Sequence, residues 1–476
     1  MKKRLGKKIA ILLSVYFVYS LIGFVLPVYM VTADPREDSR TMDLEGFYRD
    51  EIGPDRVVLL EDPEFSGISR LHLMDRAQER IRVAYFSVHE GLASQLFYGT
   101  ILSAADRGVE VELLFDGIFH NLGRRNRETH RALVNHENID IRFYEPLNLI
   151  KPWTWNNRMH DKFMVVDGTY AITGGRNIGD QYFLESSKET LVKDRDVLVF
   201  KEGDHRQELS VLSDFDQYFQ RLWESEYTKQ KDQQVAERHR GSAEEKTYEL
   251  LNLRREIERE HPEKFPGKID WQGKSHPTKK ITLITNSLDR LEKDPRILEK
   301  MAELMETAEE SVVIQSPYVI PTDTMRAYFD HSQAQNKRFV LTNSKAASPN
   351  YFGIAGYLNH REDIASHTEE IFEYAGAGSI HGKSYIFDQR ISMVGSFNMD
   401  ARSAFLSTEN MVVIDSRSFA SRLSQAKEEL VRESVPYREP GPSDEGKAKG
   451  KESVPRYKEM VIKIMGRMLS PFDDML

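Results

Sequence analysis

One short pattern occurs twice in this chain. Residues 160–167 read HDKFMVVD and residues 381–388 read HGKSYIFD. Each copy has a His, a Lys two positions on, and an Asp five positions after the Lys. Each then runs through a glycine turn to an Asn: GGRN ends at Asn177, and GSFN ends at Asn398. The offset from His to Asn is 17 in both copies (177 − 160 and 398 − 381). A single match is easy to find by chance among 14 histidines, but the full set repeated at one offset is not. The chain therefore folds as a duplicated unit, and its site is built from two halves.

The alternation sets the local structure. His160 and Lys162 are two apart, so an extended strand turns both to one face. Phe163, Val165 and Val166 favour a strand, and Tyr385 and Phe387 do the same in the second copy. Each strand carries an imidazole beside an ammonium, and the turn after it returns an Asn towards them. A pseudo-twofold places two His, two Lys and two Asn around one anion.

This set suits phosphoryl transfer from a diester. Lys162, Lys383, Asn177 and Asn398 are donors for the non-bridging oxygens of a phosphate. One neutral His attacks phosphorus to give a covalent phosphohistidine. The other protonates the leaving alcohol and then deprotonates the incoming one. Asp167 and Asp388 either orient the histidines or cap their own loops. The lysines supply the positive charge that a metal would, so no metal or other cofactor is expected.

The two HxKxxxxD motifs with GGRN and GSFN resemble the phospholipase D superfamily. The wider context is similar to its cardiolipin synthase branch: GGRNIGDQYF follows the first motif, and VGSFNMDARSAFLSTENMVVID surrounds the second turn. QSPYVIP at 315–321 and FEY at 372–374 fit the same likeness, which covers about residues 57–225 and 278–415. The resemblance implies an α/β fold of two pseudo-symmetric lobes, each a mixed sheet flanked by helices, with one active site between them. It implies a catalytic set of His160, Lys162, Asp167, His381, Lys383 and Asp388, with Asn177 and Asn398 on the phosphate. The assignment of the nucleophile to His160 follows from the same likeness.

Residues 9–31 contain no charged side chain, and five basic residues precede them: Lys2, Lys3, Arg4, Lys7 and Lys8. As a helix, this run spans roughly 34 Å, enough for a bilayer core. The basic flank puts the N-terminus in the cytoplasm and the catalytic body outside, as a single-pass protein of the cell membrane. A cleaved signal peptide is the rival reading, with Val31-Thr32-Ala33 as its cleavage site. Net charge is −9, which gives no case for nucleic acid as partner. The absence of cysteine rules out disulfides and thiolate metal sites.

The divisions expected are a basic N-terminus (1–8), the apolar helix (9–31), a linker (32–56), a first lobe (57–227), a charged connector (228–277), a second lobe (278–415) and a C-terminal part (416–476). In the first lobe RIRVAYFSV, ending at Val88, reads as a strand, 92–107 as a helix, and 108–116 and 140–145 as strands. The second lobe repeats this order with strands at 279–287, at SVVIQSPYVIP and at KRFVLTNS, and a helix at 297–309. Leu212, Phe215, Phe219, Leu222 and Trp223 form a helical stripe that closes the first lobe. The connector reads as solvated helices or a mobile insertion between lobes.

Fourteen residues (146–159) separate Glu145 from His160, but seven (374–380) separate Glu373 from His381. The extra piece holds Trp153 and Trp155, which wall a lipid pocket, sit at a membrane interface, or simply pack the loop. His360 and His367 read as surface histidines. Arg402 either binds phosphate or makes a structural salt bridge, and Glu409 and Asn410 help line the pocket. Residues 439–453 are low-complexity. The stretch from Val454 onward is an amphipathic helix that docks on the body or lies on an anionic membrane.

Three readings of function remain: a membrane phosphatidyltransferase that moves a phosphatidyl group between phospholipids, with phosphatidylglycerol as substrate; a hydrolase acting on lipid or nucleic acid through the same intermediate; and a non-catalytic membrane protein. The intact motifs oppose the third reading. The apolar helix and acidic charge oppose a nuclease.

Overall fold

The computed structural model describes residues 2–29, 44–123, 126–184, 191–203, 210–231, 234–290, 293–329, 336–437, 454–469, 473 and 475. The candidate cleavage site Val31-Thr32-Ala33 and the stretch 439–453 lie outside the described residues.

Two mixed sheets carry the duplication. The first runs Thr228–Gln230, Ile139–Tyr144, Glu110–Asp116, Arg80–Tyr85, Lys162–Val166, Tyr170–Gly174, Asp196–Lys201, Asp55–Leu60 and His276–Pro277. The second runs Lys280–Thr285, Asn410–Asp415, Ile391–Gly395, Lys383–Phe387, Ser311–Gln315, Lys337–Asn343, Glu370–Tyr374 and Ser434–Tyr437. Arg80–Tyr85, Glu110–Asp116 and Ile139–Tyr144 are parallel neighbours, and Arg80–Tyr85 meets the motif strand Lys162–Val166 antiparallel. Ser311–Gln315, Lys337–Asn343 and Glu370–Tyr374 repeat this plan beside Lys383–Phe387. The expected fold is thus found, with both motif strands central in their sheets. Both are buried along their whole length, as strands covered on two faces must be.

Each sheet turns one face to its own helices and the other to its partner. Helices Pro63–Arg76 and Leu92–Asp106 cover the first sheet; Arg296–Thr307 and Tyr351–Ser366 cover the second. Between the sheets lies a shared apolar core that includes Phe163, Val165 and Val199 from one lobe and Ile386, Val394 and Val412 from the other. Helix Val211–Glu224 starts on the Ser210 cap and buries Val211, Leu212, Phe215, Tyr218, Phe219, Leu222 and Trp223. This stripe enters the shared core, so it binds the two lobes together as well as closing the first.

The connector does form a largely solvated helix, as one reading of it has, but that helix is also docked on the body. Its helix Arg240–Glu260 packs on the first lobe, where Gly99 allows close approach: a Cβ there would lie 2.7 Å from the Leu250 carbonyl oxygen. Arg254 pairs with Asp75 of the first lobe at 2.7 Å. Charge patterning hid this contact because only Ala243 and Leu250 of that helix are buried.

The N-terminal helix, Lys2–Tyr29, is long and apolar enough over Leu5–Leu26 to cross a membrane, and that window is almost wholly exposed. Its last turn meets the body, with Val28 in the core of the second lobe. Trp155 packs on this helix, its ring 6.4 Å from that of Phe24. Helix Arg456–Leu469 docks on the body, where Asn359 donates to the Gly466 carbonyl at 3.0 Å.

Candidate active site

Two short bridges between the lobes assemble the site. Arg158–Met159 pairs in parallel with Ser407–Thr408, and Ser379–Ile380 pairs in parallel with Val192–Lys193. At the end of each bridge stands a motif histidine. The His160 N–H donates to the Thr408 carbonyl at 3.1 Å, and the His381 N–H to that of Lys193 at 2.7 Å. The residue after each accepting carbonyl is an acid. Glu409 Oε1 lies 2.7 Å from His160 Nδ1, and Asp194 Oδ2 lies 2.6 Å from His381 Nδ1. Each imidazole is therefore oriented by a carboxylate from the opposite lobe, and neither half-site is complete alone.

The motif reading passed over Asp194 and gave Glu409 only a lining role. A signal was present, since both acids stand just ahead of the strand that follows the Asn turn, at Asp196–Lys201 and Asn410–Asp415. The pairing could not be read because it crosses between the repeats.

Both motif lysines are fully buried. Lys162 Nζ donates to the His160 carbonyl. Lys383 Nζ donates to the His381 carbonyl at 2.6 Å and lies 3.0 Å from His381 Nε2. The Phe86 ring stands edge-on to His160 at 5.0 Å, with Lys162 Nζ 5.3 Å from its centre.

The turns explain their own sequences. A Cβ on Gly175 would lie 2.2 Å from Asp194 Oδ1, so this glycine makes room for the acid. Its counterpart in GSFN is Ser396, whose hydroxyl donates to Glu409. Asn177 and Asn398 are both nearly buried, and the amide oxygen of each lacks a partner among the described residues. Asn177 donates to the Tyr182 hydroxyl at 3.2 Å, and Tyr182 in turn has its ring 6.0 Å from His381.

The structure corrects the expectation for the motif aspartates. Asp167 accepts from the backbone N–H groups of Gln78, Glu79 and Arg80 at 2.9, 2.9 and 2.8 Å. Asp388 accepts from those of Glu309, Glu310 and Ser311 at 2.8, 2.8 and 2.9 Å. Both take left-handed backbone, with φ of 51° and 49°. The whole motif strand, roughly 16 Å long, separates each from its histidine. They cap the entry to the neighbouring strand and do not orient an imidazole.

Arg402 donates to the Met475 carbonyl at 2.8 Å and has no carboxylate partner among the described residues, so the expected salt bridge is not found. Asp400 caps the helix that begins at Ala401. His360 lies 3.1 Å from Asp473, and His367 is exposed.

Burial sets the electrostatics. It drives His160 well below the ordinary histidine range, with Lys162 and Lys383 adding to the shift. It takes His381 down to about 4, with Lys383 adding to the fall and Asp194 opposing it. Burial also lowers Lys162 to about 7 and Lys383 to about 8, although Glu409 and Asp194 respectively hold them up. The acids diverge. Burial pushes Glu409 well above the usual carboxylate range despite Lys162. For Asp194, the pull of His381 and Lys383 outweighs burial and carries it below that range.

Two such lobes around one doubled His–Lys site define the phospholipase D superfamily. The family described as "Cardiolipin synthase, PLD-like domain" matches residues 71–223 and 301–431, more than half of the chain. The chain belongs to that family, and with it to the enzymes of the phospholipase D superfamily. Among its relatives, an uncharacterised protein of Helicobacter pylori (strain ATCC 700392 / 26695) is 26% identical over 467 residues, 87% of each chain. Cardiolipin synthase C of Escherichia coli K12 is 26% identical over 403 residues, 75% of this chain and 80% of that protein. Of solved structures, phosphatidylserine synthase of Haemophilus influenzae Rd KW20 shares the fold with a TM-score of 0.61 and 13% identity, covering 88% of this chain and 95% of that one.

Proposed function

We propose that the protein is a membrane-bound phosphatidyltransferase of cardiolipin synthase type, and that phosphatidylglycerol is both donor and acceptor. The observation that carries this is the pair of histidines, each with Nδ1 held by a carboxylate of the other lobe. A ring fixed through Nδ1 presents Nε2 to the substrate. His160 is the nucleophile in this reading. It is neutral near pH 7, and its Nε2 has no protein partner among the described residues.

In the first step, His160 Nε2 attacks phosphorus of one phosphatidylglycerol. A P–N bond forms, the P–O bond to glycerol breaks, and His381 gives its Nε2 proton to the departing alkoxide. Burial and Lys383 hold His381 at about 4 in the free enzyme. The imidazolium that supplies this proton therefore forms with the substrate, stabilised by the anion Asp194 and by the negative charge of the bound phosphodiester. In the second step His381 takes a proton from the free hydroxyl of a second phosphatidylglycerol. That oxygen attacks phosphorus and the P–N bond breaks. The products are diphosphatidylglycerol and glycerol, and both histidines return to their starting state. Lys162, Lys383, Asn177 and Asn398 are the donors for the non-bridging oxygens. The relatives named as lipid synthases support a lipid substrate.

Purified protein in detergent micelles given phosphatidylglycerol should yield diphosphatidylglycerol and free glycerol by mass spectrometry, and a His160→Ala control should yield neither. Phosphatidic acid as sole product would make water the acceptor and overturn the transferase reading.

A further inference from the structure

The loop before the first motif is longer than its counterpart, and its surroundings are unusual. Residues 146–155 read PLNLIKPWTW, with Lys151 the one charge. Leu147, Leu149 and Ile150 turn their side chains outward, Ile150 with 77% of its surface exposed. Exposed apolar groups in a loop cost little one at a time, but three together mark a contact surface.

Four successive carbonyls of this loop, Asn148 to Lys151, are satisfied from within the protein. The Asn148 carbonyl accepts from Trp155 Nε1 at 2.8 Å, and that of Leu149 from the Tyr16 hydroxyl at 2.8 Å. The Ile150 carbonyl accepts from the Tyr19 hydroxyl at 2.5 Å, and that of Lys151 from Thr154 Oγ1 at 2.8 Å. The N–H groups of Ile150 and Lys151 donate to Asn148 Oδ1 at 2.9 and 3.1 Å. An exposed loop in water leaves such groups to solvent. In hydrocarbon a carbonyl needs a protein partner, and all four of these have one.

The position of the donors supplies an independent argument. Tyr16 and Tyr19 lie within the apolar window Leu5–Leu26 of the N-terminal helix. Counting back from Leu26, they stand about 15 and 10 Å along the axis. The half-thickness of a bilayer core is about 15 Å. When that helix spans a membrane, a loop bonded to Tyr16 and Tyr19 lies inside it. Closer to the body, Pro152 packs on Gly23, and Asn156 donates to the Phe24 carbonyl at 2.6 Å. Lys151 has a stem long enough to carry its ammonium outward.

We propose that residues 146–155 form a re-entrant loop in the acyl-chain region of a phospholipid bilayer, beside the N-terminal helix, and that this holds the His160 half-site at the membrane surface. The proposal rests on the lipid reading above for its purpose, but its geometry is tested without turnover. Arg158 joins the loop to the site, since it donates to the carbonyls of Glu145 and Thr154 at 2.7 and 3.4 Å, two residues before His160. A substrate phosphodiester in the headgroup layer is then reached without leaving the bilayer.

The chain has no cysteine, so single labelling sites are simple to make. In the full-length His160→Ala background, Ile150→Cys and Tyr248→Cys would each carry an environment-sensitive fluorophore. Tyr248 is exposed on the helix that packs on the first lobe, away from the loop. In vesicles of phosphatidylglycerol and phosphatidylethanolamine, the label at 150 should be quenched by lipids spin-labelled on the acyl chain and shielded from aqueous iodide. The label at 248 should behave in the opposite way. Equal access of iodide to both labels would overturn the proposal. In the active protein, Ile150→Asp should turn over monomeric short-chain phosphatidylglycerol as the parent does, and lose about tenfold or more on bilayer lipid. Equal rates on both substrates would also overturn it. A protein inactive on every lipid would remove the proposed function while leaving the quenching result to decide the loop.

Discussion

The two half-sites share a backbone plan and differ in electrostatics. Each has a His at the end of a cross-lobe bridge, a buried Lys two positions on, and an acid from the other lobe. His160 faces Glu409, whose carboxyl is pushed up by burial and which takes a hydrogen bond from Ser396. His381 faces Asp194, which is held as an anion and fits only because position 175 is glycine. Lys383 also comes to within 3.0 Å of His381 Nε2, whereas Lys162 reaches only the backbone of His160. Under the proposed mechanism, the duplicated fold carries two unlike roles. A neutral imidazole with an open Nε2 suits attack, and one backed by a fixed anion suits proton transfer.

The sharpest test of that difference uses a phosphatidyl ester of p-nitrophenol, whose leaving group needs no protonation. His160→Ala should release no nitrophenol above background, a loss of about 10⁴-fold or more. His381→Ala should release one equivalent in a burst and then stall, because nothing activates the acceptor. A burst in His160→Ala and none in His381→Ala would exchange the two roles.

Replacing the acids comes next in size. Asp194→Asn removes the anion behind His381 and should lower turnover of phosphatidylglycerol by about 10²- to 10⁴-fold. Glu409→Gln changes a carboxyl that burial already pushes towards its neutral form and keeps an oxygen to accept from His160, so it should cost about tenfold or less. Equal losses from the two substitutions would show that the carboxylates do the same work in both halves.

The lysines set the alkaline side of the pH profile. Lys162 titrates at about 7 and Lys383 at about 8, so each loses its charge as pH rises through those values. His160 gains a proton only well below the ordinary histidine range, so the acid limb lies lower. Because kcat/KM follows the free enzyme, it should begin to decline above about pH 7 and fall more steeply above about pH 8. A profile flat to about pH 10 would mean that neither ammonium is needed on the phosphate.

How much of this could be read beforehand follows from which contacts are local. The motif strands, the βαβ order of each lobe and the two His–Lys pairs have periods of a few residues, so the sequence displays them. Asp194 and Glu409 are invisible to such reading because their partners lie 187 and 249 residues away. The docking of helix Arg240–Glu260 on the first lobe is hidden by its charge, since two buried residues and Gly99 across from it make a contact with no amphipathic signature. The loop at 146–155 declared its extra length, but only the hydroxyls of Tyr16 and Tyr19 show what it lies against.

The motif aspartates bound the comparison from below, because here the two halves behave alike and the chemistry is absent. Asp167 and Asp388 each gather three backbone N–H groups at a left-handed turn. Asp167→Ala loses those acceptors and puts a Cβ without a compensating side chain at positive φ, which together should cost about 1–3 kcal/mol of stability. Asp167→Asn keeps one acceptor oxygen and tolerates the left-handed backbone, so it should fall between the two. Thermal unfolding should rank wild type above Asp167→Asn and that above Asp167→Ala, and Asp388 should repeat the series. Turnover by the folded variants at 25 °C should stay close to that of the parent. A folded Asp167→Ala protein with activity as low as Asp194→Asn would return this carboxylate to the catalytic set, and the strand that separates it from His160 would then have to transmit its effect.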